Sequence, residues 1–407
     1  MHSGLEHDHS YGALLKLPSV GRILLGMQIA RVGQSMVAVA IVLFTLTSYR
    51  SAALAGVATF FNIFPGLLVS PIAGALLDRH GRMLLVALDY VVALAALTLM
   101  GGLALAGSLP AWLLIVITGI ASLTNPLSAT GLRSLFPLIV PPQLWERVNA
   151  IDSAGFIVAA ILGPPIAAGF VALWGGPIAL VGIGASFGVA AVVIGRSEDP
   201  AAPGGPAGAS VSVLADAWSG LVYTWRNPTL RGLAFSISSI NVAGGVLNIV
   251  VPVIVLERLH FGETVVGVLF AVQGLAGITS AVAFGRVDSR DRERAMLALP
   301  MAAIAISVSL IIFRSDLAML LVIMVIYGAL QSPMDIALFT LRQRRTESAW
   351  MGRAFAVSFS FNYLGFPLGA AFAGVAAAHS IATALSVAVV MCLAATIFAV
   401  FLVPSKA

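Results

Sequence analysis

Twelve stretches of apolar residues, none with more than one charge and most about 20 residues long or longer, run through this sequence and dictate what it can fold into. A helix needs roughly 20 apolar residues to cross a ~30 Å hydrocarbon core, so each stretch is a candidate span. They fall at about 23 to 47, 53 to 76, 83 to 106, 110 to 132, 150 to 174 and 177 to 195, then at 229 to 256, 264 to 285, 295 to 313, 317 to 341, 353 to 377 and 380 to 403. Only 10% of the 407 residues are charged and 59% are hydrophobic, against roughly 25% charged in an average soluble domain. The chain is therefore read as an all-α polytopic membrane protein. Its first run is too long for a signal-peptide core and lacks a small-residue cleavage site, so it is read as a retained span.

The 22 Lys and Arg residues give this topology a direction. Arg31 lies inside a span; Arg50, Arg258 and Arg314 fall in the loops opposite the termini; the remaining 18 share the face of the termini. By the positive-inside rule that face is expected to be cytoplasmic, in a cell inner membrane. The net charge of +5 is thus mainly topological, and the scattered basic residues exclude a nucleic-acid-binding segment. Cys392 is the single cysteine, so no intrachain disulfide forms.

A Pro/Gly-rich segment opening at Arg196 divides the spans. The expected organisation is a cytoplasmic tail over 1–22, a six-helix bundle over 23–195, a cytoplasmic linker over 196–228, a second six-helix bundle over 229–403 and a short tail over 404–407. Within the linker, Leu214, Trp218, Leu221 and Trp225 recur at helical spacing, predicting an amphipathic helix in the membrane interface. The halves are weakly similar. Gly74 and Gly285 each open a charged turn, Pro126 and Pro333 each interrupt a fourth span, and Leu162-Gly163 recurs as Leu368-Gly369. Six crossings return the chain to its starting face, so the repeats are parallel, with a cavity expected between them.

The strongest local motif is GALLDRHGR, from Gly74 to Arg82. Gly74 permits close helix approach, Gly81 a tight turn, and Asp78 lies between helix-end charges Arg79 and Arg82. This segment resembles the signature between helices 2 and 3 of the major facilitator superfamily at its Gly, Asp, Arg, Gly and Arg positions. The resemblance, which with twelve spans covers nearly the whole chain, implies two pseudo-symmetric six-helix bundles, and it implies that Asp78 latches the cytoplasmic gate against the start of helix 11, around Trp350 to Arg353. The counterpart GRVDSRDRER, Gly285 to Arg294, looks like a degenerate copy. In the fifth span, Gly163, Pro164 and Gly169 resemble the Gly-Pro signature of antiporters, which implies export. In physical terms the prolines bend the helix, while Gly163 and Gly169 allow close packing. The stretch Leu135 to Gly155 resembles the connection before helix 5 in macrolide-efflux and enterobactin exporters.

The sequence departs from drug/proton antiporters in lacking an arginine within the fourth span and an acid within the first. It carries instead Arg31, ~13 Å past Arg22, Asp89 in the third span and Asp335 in the tenth. Charges at such depth cost at least ~2.5 kcal/mol and mark functional positions by default. These three are the proton-coupling candidates, Asp335 first and Asp89 next. The plainer readings are a structural acid at Asp89, a static Arg31–Asp89 pair and, at Asp152, a residue that caps or anchors the inner end of the fifth span. Gln28, Gln34, Asn62, Asn241, Asn248, Gln273, Gln331 and Asn362 are polar residues of the spans, expected either to line a substrate cavity or to bond neighbouring helices.

Other chemistries find no support. No lysine follows a phosphate-loop glycine, and Gly184-Ala-Ser-Phe-Gly188 falls within a span with no histidine to serve as base. His2, His7 and His9 belong to the tail, and no metal site, cofactor or catalytic residue is expected. The function expected is export of amphipathic small molecules by alternating access, with proton antiport. Arg31 and the missing first-span acid lean the substrate toward neutral or anionic compounds. A nutrient-uptake permease and a non-transporting sensor or assembly factor are the other readings. The partners expected are the lipid bilayer, a small-molecule substrate and protons, with the chain acting as a monomer.

Overall fold

The computed structural model describes residues 10–195, 213–284, 292–347 and 350–404, and all regular structure among them is helical. The histidine tail, the Pro/Gly-rich linker segment and the 285–291 turn lie outside them. Backbone N–H and C=O groups find no partners in hydrocarbon, so each crossing closes its hydrogen bonds within a helix.

The order is α1 (Tyr11–Lys16), α2 (Val20–Tyr49), α3 (Ala52–His80), α4 (Arg82–Leu105), α5 (Ala111–Ser122), α6 (Asn125–Ile139), α7 (Trp145–Trp174) and α8 (Gly176–Gly195). After the linker come α9 (Val213–Arg226), α10 (Pro228–Val253), α11 (Glu263–Phe284), α12 (Glu293–Phe313), α13 (Leu317–Arg345), α14 (Met351–Ala377) and α15 (Ile381–Leu402). Among the described residues eleven spans are long and apolar enough to cross a membrane. The twelfth crossing, α14, has 27 residues and is more polar in its first half, with Ser358, Ser360, Asn362 and Tyr363.

Helix starts follow local capping chemistry. Ser51, Asn227, Asp316 and Ser380 each accept a hydrogen bond from a backbone N–H in the first turn of α3, α10, α13 and α15. The Met319 N–H, followed by Arg314, holds the Asp316 carboxyl below the usual carboxylate range. That cap is therefore intact at neutral pH and is lost only as the pH falls through the lowered value. Two details depart from expectation. Residues 1–22 are not a plain tail, since Ser10 caps α1 and Ala13 and Leu14 are buried. Pro126 does begin a new helix after a break at Leu123-Thr124, but Pro333 sits inside an unbroken α13.

Helices α2 to α8 pack on one another, as do α10 to α15, and α3 on α14 and α7 on α11 join the two sets. Glycines set these distances. On α14, Gly365 and Gly369 lie so close to α10 that an added Cβ would meet the Ser238 and Val242 carbonyls at 1.9 and 2.0 Å. Between the sets, a Cβ on Gly56 of α3 would meet the Gly374 Cα at 2.8 Å, and one on Gly267 of α11 the Pro165 Cα at 2.9 Å. A Cβ on Gly274 would meet Ile161 at 3.0 Å. These junctions lie at mid-depth and in the half remote from the termini, where the two sets touch.

Gly81 is the single residue between α3 and α4, at φ 90° and ψ 141°, a conformation glycine tolerates and L side chains resist. Gly81→Ala should cost ~1–3 kcal/mol. Gly102→Ala, in a helical position with open space around its Cβ, should stabilise by ~0.5–1 kcal/mol. Thermal unfolding of the two purified variants checks the contrast, and equal melting shifts would refute the strain assigned to Gly81.

Candidate functional site between the helix bundles

Among the residues whose side chains are described, Arg31, Asp89, Asp152 and Asp335 lie well inside the spans, and Arg342 closes the α13 span with its side chain buried. The structure sorts them by what each one touches.

Arg31 does not pair with Asp89. From α2 it donates to the Asp152 carboxylate on α7 and, at 2.7 Å, to the Asp152 carbonyl, with its guanidinium 5.6 Å from the Phe156 ring centroid. Asp152 therefore anchors α7 to α2 and does not cap it. It lies two turns into α7, and Gln28 reinforces the same junction by donating to the Gly155 carbonyl at 3.0 Å. The sequence reading missed this pairing because a partner 121 residues away leaves no periodic trace. Asp89, 3% exposed on α4, accepts from the Thr124 hydroxyl at 2.6 Å. Thr124 sits at the α5–α6 break, so Asp89 ties that irregular backbone to its neighbour helix.

Arg342, counted in the sequence among loop residues, is 1% exposed inside α13. With its amide oriented to satisfy both neighbours, Asn362 of α14 accepts from Arg342 at 2.5 Å and donates to the Ser358 carbonyl at 3.2 Å. Asn241 of α10 donates to the Asn362 backbone carbonyl at 2.8 Å.

Asp335 differs from the other four in being exposed, and no hydrogen bond or ion pair reaches it among the described residues. Its direction follows from two contacts of α13. At 3.6 residues per turn, Arg342 lies ~20° and Ser332 ~100° around the axis from Gln331, with Asp335 at ~40° and Phe339 at ~80°. Arg342 points to α14, and the Ser332 hydroxyl donates to the Gly277 carbonyl of α11 at 2.6 Å. Asp335 and Phe339 therefore face the gap between α11 and α14. Those two helices carry the contacts to the other set, through α7 and α3, so the gap opens on the space between the bundles. Gln331 and Phe339 are exposed there too. The signal the sequence held was the four-residue spacing of Gln331, Asp335 and Phe339.

The remaining predicted polar residues divide. Gln34 and Asn62, with Thr118 and Asn125, line a narrow cleft among α2 to α6 and α8. Gln28, Asn241 and Asn362 are occupied in the helix-to-helix bonds above. Asn248 is buried, its amide nitrogen without a partner among the described residues, and Gln273 is half-buried, its backbone carbonyl against Gly328. In the fifth-span motif, Gly163 meets Ser35 of α2, Pro164 and Pro165 face Gly267 of α11, and Gly169 has open space, so the expected close packing holds at Gly163 and not at Gly169. In the gating motif, Gly81 makes the turn and Arg82 starts α4. The side-chain surroundings of Gly74, Asp78 and Arg79 lie outside the described structure, and so does the expected Asp78 latch. Trp350 is stacked on Tyr223 of α9, ring centroids 4.8 Å apart.

Removing one partner of the Arg31–Asp152 pair leaves an uncompensated charge. Arg31→Met should destabilise the fold by ~3 kcal/mol, and Arg31→Met with Asp152→Leu should restore most of the loss. Melting of the single and double variants tests this, and a double variant no better than the single would show that the pair is not a neutralising unit.

The family model described as Major Facilitator Superfamily matches residues 23–370 and, again, 233–407. An uncharacterised MFS-type transporter, y4rN, of Sinorhizobium fredii is 36% identical over 386 residues, covering 93% of each chain. The multidrug efflux pump Tap of Mycolicibacterium fortuitum is 24% identical, covering 86% of this chain and 87% of its own. Among solved structures, a mutant of the nucleoside transporter NupG aligns with a TM-score of 0.71 at 13% identity, over 93% of this chain and 98% of its own.

Proposed function

Since the chain belongs to the major facilitator superfamily and is a multi-pass membrane transporter, we propose that it is a secondary exporter of amphipathic small molecules that works by alternating access with proton antiport. The observation that carries this reading is Asp335, the one exposed carboxylate among the described charges inside the spans, on the side of α13 between its contacts to α11 and α14. A carboxylate there can hold a proton in one conformation and release it in the other. The similarity to a multidrug efflux pump and the Gly163-Pro164 pair support the outward direction.

The two bundles, 23–195 and 229–403, rock about the α3–α14 and α7–α11 junctions. The 18 basic residues on the terminal face support cytoplasmic termini and linker in a cell inner membrane, with the chain acting as a monomer among lipids. Asp78 latches that face when the bundles close over it, and loss of its charge favours the opposite state by ~0.3–1 kcal/mol.

Reconstituted vesicles test the mechanism. With a pH gradient the wild type should expel substrate uphill, and Asp335→Asn should abolish uphill export while retaining exchange at equal pH. Uphill export that survives in Asp335→Asn refutes Asp335 as the coupling site, and net uptake refutes the direction. The topology is checked separately by thiol labelling of Ser210→Cys in a Cys392→Ala background, which should react only from the cytoplasmic side.

A further inference from the structure

Asp89 lies seven residues past Arg82 on α4, ~10 Å in from the terminal face, and no cation answers it. It is 3% exposed, no basic side chain pairs with it among the described residues, and the guanidinium of Arg31 is engaged by Asp152. Its donors are two neutral hydroxyls, those of Thr124 and Ser128. A buried carboxylate held by neutral donors alone keeps its charge unpaired, at a cost.

Each of these hydroxyls has one proton and two claimants. Thr124 Oγ1 lies 2.6 Å from the Asp89 carboxylate and 3.0 Å from the Ala121 carbonyl. Ser128 Oγ, which also bonds Asp89, lies 3.3 Å from the Asn125 carbonyl. When the protons turn to the carbonyls, the hydroxyl lone pairs and the carboxylate are left facing one another. That is a set of hard oxygen ligands with a single negative charge among them.

The backbone beside them is broken. α5 ends at Ser122 and α6 begins at Asn125, and Pro126 has no N–H to offer the Ser122 carbonyl. The C-terminus of α5 adds negative potential, while the N-terminus of α6 favours the ionised carboxyl over the protonated one. Broken helices inside a membrane hold ions at such ends. The cleft of the N-terminal bundle opens directly beyond Asp89: Ala93, one turn further along α4, lines it, as do Ala121 and Asn125 to either side of Thr124. It has room for water, which can complete the shell of an ion and give it a way in.

We infer that the α5–α6 break is a sodium-binding site, with the ion held by the Asp89 carboxylate, the Thr124 and Ser128 hydroxyl oxygens and water from the cleft. A single carboxylate matches a monovalent ion, since calcium sites collect several. The bound ion ties α4 to the broken helix and stabilises this bundle. The site stands apart from Asp335 and from the space between the bundles, and it depends neither on the direction of transport nor on its coupling.

Thermal unfolding of the purified full-length protein, in sodium, potassium and choline chloride at equal ionic strength, tests this. Sodium should raise the melting temperature by about 3 °C or more at saturation, with potassium and choline well below it. Asp89→Asn should abolish the sodium-dependent shift, and Asp335→Asn should retain it. Thr124→Val, which keeps the shape and removes the oxygen, should weaken equilibrium binding of radioactive sodium by about tenfold or more. An Asp89→Asn protein that fails to fold leaves Thr124→Val and Ser128→Ala to decide, and wild-type sodium affinity in both refutes the site. The inference is overturned equally by the absence of a sodium shift, by an equal shift in potassium or choline, or by one that survives in Asp89→Asn. A sodium shift lost in Asp335→Asn and kept in Asp89→Asn would place the ion elsewhere and overturn the assignment.

Discussion

Close approach of helix backbones is the interaction on which this architecture depends. In lipid there is no hydrophobic gain from pressing one apolar helix on another, so association relies on dispersion and on how near the backbones can come. Gly365 and Gly369 bring α14 against α10 within the C-terminal set, and Gly56 and Gly374 bring the same α14 against α3 of the other set. One helix thus carries a tight seam on one side and the inter-bundle seal on another. The two contacts differ in extent: the first is held further by Asn241 bonding to Asn362, whereas the α3–α14 approach is glycine on glycine near one end of the helices. A contact of the second kind can part without leaving a polar group unpaired.

The ionic groups obey the same economy. A buried charge is tolerated only where another group meets it, and Arg31 with Asp152, Arg342 with Asn362 and Asp89 with Thr124 each illustrate this. Each also pins two elements together, α2 to α7, α13 to α14 and α4 to the α5–α6 break. At the membrane edge α9 is fastened likewise. Asn227 caps α10 and donates to the Arg345 carbonyl, Tyr223 accepts from the Glu347 N–H, and Trp218 and Trp225 are left exposed on the helix.

The number and approximate positions of the crossings were legible in the sequence because hydrocarbon thickness imposes a length that composition reveals, though α6 runs on to Ile139 and α7 begins early at Trp145. The tight turn at Gly81 was legible as well, since a positive φ between two apolar runs calls for glycine. Pair identities were not. Arg31 is nearer in sequence to Asp89 than to Asp152, and only packing shows that α2 turns that side to α7. The burial of Arg342 was not legible because charge near a span end looks the same whether it turns to water or inward to Asn362. Asp335 was found by its isolation in an apolar run, but its orientation needed the contacts of Ser332 and Arg342 on either side of it.

A single exposed carboxylate also bears on energetics. Moving one elementary charge through a membrane potential of about 100 mV is worth ~2.3 kcal/mol. Were Asp335 to return one proton inward for each neutral molecule expelled, the paired charges of Arg31 and Asp152 would contribute nothing and one charge would cross inward per cycle. Such a carrier would be electrogenic: the voltage and the acidity difference across the membrane would together set how steep a gradient it could hold.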